Sequence, residues 1–95
     1  MQVEVVRRGG LAGVQLKAAI DTRELPPGPA RQAEAALREL PYGRPVAPTR
    51  HPDGFQYEFT LLDEQPNRSV VLDEAEVPHS LRPVVETAVA RGDIV

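Results

Sequence analysis

The succession of residue patterns along this chain predicts an α+β fold in two layers. It is a four-stranded antiparallel sheet with two helices on one face, in the order β-β-α-β-β-α, a two-layer sandwich. Two observations carry the prediction. Period-two segments come in adjacent pairs, each joined by a short glycine-rich or polar turn. Each pair is followed by a segment whose apolar residues recur at spacings of three and four.

The first strand covers residues 2–8, where Val3 and Val5 alternate with Gln2 and Glu4 and Val6 adds width. Gly9, Gly10 and Gly13 then punctuate a loop around Leu11 and Ala12. Val14, Leu16, Ala18 and Ile20 follow, alternating with Gln15, Lys17 and Ala19, as a second strand. So short and glycine-rich a connection makes an antiparallel hairpin whose tip projects. Pro26 and Pro27 cannot sit in a central strand but can open a helix, which starts near Pro27 or Pro29. Its apolar stripe is Ala30, Ala33, Ala36, Leu37 and Leu40, and it ends before Pro41.

Residues 41–54 hold four prolines and two glycines with no stable period, a loop stiffened by proline. Phe55, Tyr57, Phe59 and Leu61 then alternate with Gln56, Glu58 and Thr60. This strand carries three of the four aromatic residues and is expected to be central. A turn at residues 63–67 leads to a fourth strand over 68–72. Pro78 opens a closing helix with Val77, Leu81, Val84, Val85, Ala88 and Val89 as its apolar stripe, Pro83 in its first turns and Gly92 as its stop.

Composition narrows the function. A chain of 95 residues with 41% hydrophobic content is expected to be one domain, residues 1–95, burying only about two thirds of the surface of its unfolded form. Little apolar material is left to line a deep enzymatic cleft. Without cysteine there is no disulfide framework, thiolate zinc site, iron–sulfur cluster or thiol nucleophile. No signal peptide follows Met1 and no apolar run approaches the roughly 20 residues of a membrane span, so the expected location is the cytoplasm.

The net charge of −3 divides unevenly: residues 1–50 carry +3 and residues 51–95 carry −6. The arginines are scattered among acids instead of forming the basic stripe that phosphate neutralisation requires, which argues against nucleic acid. Between Asp53 and Glu76 seven carboxylates meet only Arg68, a distribution that suits a basic or metal-bearing partner or simply a solvated sheet face.

No constellation reads as catalytic. The glycines at 9, 10 and 13 precede a strand rather than a helix, so no free helix amides are available for a phosphate. His51 and His79 are the only histidines, too few and too far apart for a metal centre, and no cofactor is expected. Neither serine lies in a strand-to-helix elbow, and the paired carboxylates flank exposed turns.

Several segments carry a resemblance. Residues 5–14, reading Val-Val-Arg-Arg-Gly-Gly-Leu-Ala-Gly-Val, precede Ile20-Asp21-Thr22 and Leu25-Pro26. Further on come Pro52-Asp53-Gly54-Phe55-Gln56-Tyr57, Val70-Val71-Leu72-Asp73-Glu74, and Val77-Pro78 with Leu81-Arg82-Pro83-Val84. In order and spacing these resemble the emfourin family across nearly the whole chain. The resemblance implies a bacterial, intracellular protein inhibitor of a thermolysin-like zinc metallopeptidase of the protealysin (M4) type, not an enzyme, and expected to be monomeric when free.

An inhibitor of this kind needs a rigid scaffold that presents preorganised loops, because rigidity lowers the entropy lost on binding. Two loops qualify. The first is the hairpin tip with Gly9, Gly10, Leu11, Ala12 and Gly13, in which Leu11 either anchors in an apolar pocket of the partner or folds back onto the sheet edge. The second carries Arg50, His51 and Asp53, where His51 or Asp53 approaches the partner's zinc or Asp53 caps the turn at Gly54. The remaining alternative is a non-inhibitory protein-interaction module of the same fold.

Overall fold

The computed structural model describes residues 1–10, 13–46 and 54–94. Its elements are β1 (Gln2–Gly9), β2 (Leu16–Asp21), α1 (Pro27–Glu39), β3 (Phe55–Leu61), β4 (Arg68–Asp73), α2 (Arg82–Arg91) and β5 (Asp93–Ile94), with single 3₁₀ turns at Thr22–Glu24, Glu74–Glu76 and His79–Leu81. The strands form one antiparallel sheet in the order β4-β3-β1-β2-β5.

Strand alternation sets the two faces of this sheet. Val3 and Val5 of β1, Ala18 and Ile20 of β2, Tyr57, Phe59 and Leu61 of β3, and Val70 and Leu72 of β4 all point to one side. There they join Ala33, Leu37 and Leu40 from α1, Leu81 from the last 3₁₀ turn, and Val84 and Ala88 from α2 in a single cluster. Both helices therefore cover the same face, as the sequence predicts. The other face carries Glu4, Arg8, Lys17, Gln56, Glu58 and Thr60, and several of these pair across strands: Arg8 with Glu58 at 2.7 Å, Lys17 with Glu4 at 3.6 Å.

The helix α1 begins at Pro27, where the missing amide has no intrahelical role, and Leu40 closes it in an extended conformation before Pro41. Tyr42, just beyond, donates its hydroxyl hydrogen to the Leu37 carbonyl and lies beneath the Arg68 guanidinium, 4.9 Å from the ring centre. Burial pushes the Tyr42 phenol up to about 12.

Three features depart from the sequence reading. The sheet has five strands, not four: Asp93–Ile94 pairs antiparallel with Leu16–Lys17, a ladder of two residues too short to leave a period in the sequence. Second, β2 starts at Leu16 instead of Val14, whose side chain stays exposed. Third, the closing helix does not run on from Pro78. A 3₁₀ turn comes first and the α-helix restarts at Arg82, so that Pro83 occupies an early position where its missing amide breaks no bond.

Candidate functional site

The β1–β2 hairpin and the connection into β3 meet at one end of the sheet. Antiparallel pairing of β1 with β3 sets Gly9 opposite Phe55, and just beyond this last pair the Gly10 amide donates to the Gly54 carbonyl at 3.1 Å. The approach is close: a Cβ on Gly9 would lie 2.6 Å from the Gly54 oxygen. Gly9, Gly10 and Gly13 all have positive φ, at +94°, +78° and +64°, a region that residues with a Cβ rarely enter. The Gly13 amide donates to the Gly10 carbonyl at 3.3 Å, which closes the turn on itself.

Phe55 is the side chain around which this end is built. A Cβ on Gly10 would lie 2.7 Å from its Cε1, so the glycine backbone runs directly along the ring edge. The Arg7 guanidinium lies over the ring, 4.3 Å from its centre, within cation–π range. Along β3 the Phe55 and Tyr57 rings are 6.5 Å apart and tilted by 54°, and Tyr57 and Phe59 are 6.5 Å apart at 30°. Tyr57 and Phe59 are buried, as expected of core residues, whereas Phe55 is half-buried. Burial raises the Tyr57 phenol, and the nearby Glu74 carboxylate adds to the shift. The Nε atoms of Arg7 and Arg8 are closed off from solvent and meet no hydrogen-bond acceptor among the described residues.

Of the residues singled out from the sequence, Gly9, Gly10 and Gly13 stand at this end of the sheet. Leu11, Ala12, Arg50, His51 and Asp53 lie outside the described residues. Gly54 and Phe55 were missed as parts of a site. Phe55 reads as one more apolar residue of an alternating strand, and only its place directly after a glycine hints at contact with another loop. Nearby, Gln56 donates to Asp73 at 3.0 Å, and Arg8 donates to Glu58 at 2.7 Å.

Beside this end, between β3 and α2, an open groove of about 620 Å³ is lined by Tyr57, Val77, Pro78, Val85 and Val89, with Glu74 and Arg82 at its margin. Among the described residues no three histidine, aspartate or glutamate side chains cluster as metal ligands. No helix among them is long and apolar enough to cross a membrane.

No curated protein and no solved structure matches the chain. The family described as Emfourin matches residues 5–88, from the middle of β1 to the later half of α2, and so takes in β2, α1, β3 and β4 whole. The chain belongs to the emfourin family.

Proposed function

We propose that this protein is a non-covalent inhibitor of a thermolysin-like, protealysin-type zinc metallopeptidase, acting in the cytoplasm as a single domain. It blocks the substrate cleft with the sheet end that carries residues 9–13 and 50–53. Family membership supports the inhibitor class, since emfourins are peptidase inhibitors. The observation that carries the mode of action is the bond from the Gly10 amide to the Gly54 carbonyl. It joins Gly10 to Gly54, the described residues next to the two loop segments, which supports a reading in which both segments act from the same end of the sheet. Ordering of Gly10 and Gly54 on folding lowers the entropy that a partner binding at this end would otherwise have to remove.

Leu11 is the proposed apolar anchor, flanked by glycines that let the enzyme's walls approach the backbone. Arg50, His51 and Asp53 form the second contact. The test is residual activity of a protealysin-type peptidase on a peptide substrate after preincubation with a stoichiometric series of this protein, with intact mass checked afterwards. Activity lost in proportion to added protein, reaching zero near one equivalent with no cleavage, supports the proposal. Full activity with the protein uncut removes it for that enzyme.

A further inference from the structure

We propose that Phe55 is a positioning residue for the inhibitory surface: its ring, covered by Arg7 and lined along one edge by the Gly10 backbone, holds Gly9 and Gly10, where the chain leaves β1, in a path that a peptidase cleft receives but does not cut. This rests on the inhibitor reading above and deepens it. A peptidase hydrolyses bonds in chains that lie extended along its cleft, where backbone groups pair with the enzyme as an added strand does. Gly9, Gly10 and Gly13, on both sides of residues 11 and 12, instead have φ of +94°, +78° and +64°. Straightening them into a substrate path breaks the 3.1 Å bond from Gly10 to Gly54 and the 3.3 Å bond from Gly13 to Gly10.

Phe55 opposes that straightening. Its Cε1 occupies the space that a Cβ on Gly10 would need, so the backbone at Gly10 cannot move toward the ring. Arg7, 4.3 Å from the ring centre, in turn holds the ring. Both residues lie on neighbouring, hydrogen-bonded strands, with Arg7 opposite Tyr57 and Gly9 opposite Phe55, so the platform inherits the rigidity of the sheet.

The experiment compares the full chain with Phe55→Ala and Phe55→Leu. Three quantities are read: amide hydrogen exchange at Gly10 and at Ile20 in the free protein, inhibition of a protealysin-type peptidase, and the intact mass after prolonged incubation with it. Phe55→Ala is expected to speed exchange at Gly10 at least about tenfold while leaving Ile20 unchanged, to weaken inhibition at least about tenfold, and to yield fragments cut within residues 9–13. Phe55→Leu keeps apolar bulk without the ring and falls between; it also serves if the alanine variant fails to show a cooperative melt. Unchanged Gly10 exchange in the variants overturns the proposal, as does a variant that inhibits and survives like the wild type. If the wild type does not inhibit, the inhibitor reading fails for that enzyme, and Gly10 exchange still decides whether Phe55 positions that residue.

Discussion

Arg44 reaches from the loop after α1 to the outermost strand, where its guanidinium donates to the Val71 carbonyl at 2.8 Å. The neighbouring Gly43 amide donates to the Ser69 carbonyl at 3.1 Å, and Arg44 also pairs with Glu76 at 2.8 Å. Alternate carbonyls along the outer edge of β4 are thereby occupied, which is how an edge strand is kept from pairing with another chain. Arg44→Ala is expected to lower the urea midpoint slightly, mostly through the lost bond to Val71 because the exposed ion pair contributes little. It is also expected to increase self-association at high concentration. Urea unfolding and sedimentation velocity check the two effects separately.

Leu11→Asp tests the anchor. The substitution falls at the hairpin tip, so the unfolding midpoint is expected to stay unchanged while inhibition weakens at least about tenfold. Equal inhibition by both proteins in a titration of peptidase activity would assign the anchor to another residue.

Removing a core aromatic has the opposite signature. Phe59 is fully buried on β3, between β1 and β4, in the cluster that both helices cover, so Phe59→Ala is expected to cost about 3–5 kcal/mol. For a chain this small that is much of the whole stability. Inhibition measured below the melting transition should be retained to the extent that the protein remains folded, and calorimetry gives that fraction.

Acid should weaken the fold through three carboxylates near the start of the first 3₁₀ turn. Asp21 is held far below its ordinary value by hydrogen bonds from Arg23, Glu24 is lowered by Arg91 at 3.0 Å, and Glu34 is lowered by the Thr22 hydroxyl at 2.5 Å. Lowered values in the folded state mean that the native protein binds fewer protons than the unfolded chain. The stabilisation is present above the unfolded values near pH 4 and is lost as pH falls through the folded ones. Urea midpoints should therefore fall between about pH 5 and pH 2, and Asp21→Asn should flatten that slope.

Alkali acts through Tyr42 with the opposite sign. Its folded value of about 12 lies above the ordinary 10.0, so the native state holds the phenolic proton more tightly. Stability is full below about pH 10 and declines from there toward pH 12. Tyr42→Phe should remove the part of the alkaline slope due to this group, at the cost of the bond to the Leu37 carbonyl.

What was legible in the sequence follows from how local each signal is. The alternation of Phe55, Tyr57, Phe59 and Leu61 marks β3 to the residue, and Pro27 marks the start of α1, because period and proline geometry act within a few residues. Asp93–Ile94 was illegible, since its strand character comes only from Leu16 and Lys17, distant in sequence. The break before Arg82 is half-legible: Pro83 demands an early helical position, but residues 78–81 carry the same apolar spacing as the helix and give no local sign that a 3₁₀ turn precedes it.

At the site, the glycines at 9, 10 and 13 announced a turn, whereas their connection to Gly54 is a backbone bond that no side chain encodes. Phe55 reads in the sequence only as one position of an alternating strand, because its partners, Arg7 and Gly10, come from β1 and the residue just after it.

The placement of β1 between β2 and β3 has a kinetic meaning. A hairpin of β1 and β2 can close early, but the other side of β1 stays unpaired until residues 55–61 arrive from beyond α1 and the long loop. Pairings so distant along the chain put this fold among slower two-state folders, on the order of milliseconds to seconds rather than microseconds. The contact between Gly10 and Gly54 belongs to that late pairing, so this end of the sheet is completed only after β3 has docked on β1. The join between the two loop bases is thus a late product of folding and not a local turn that forms on its own.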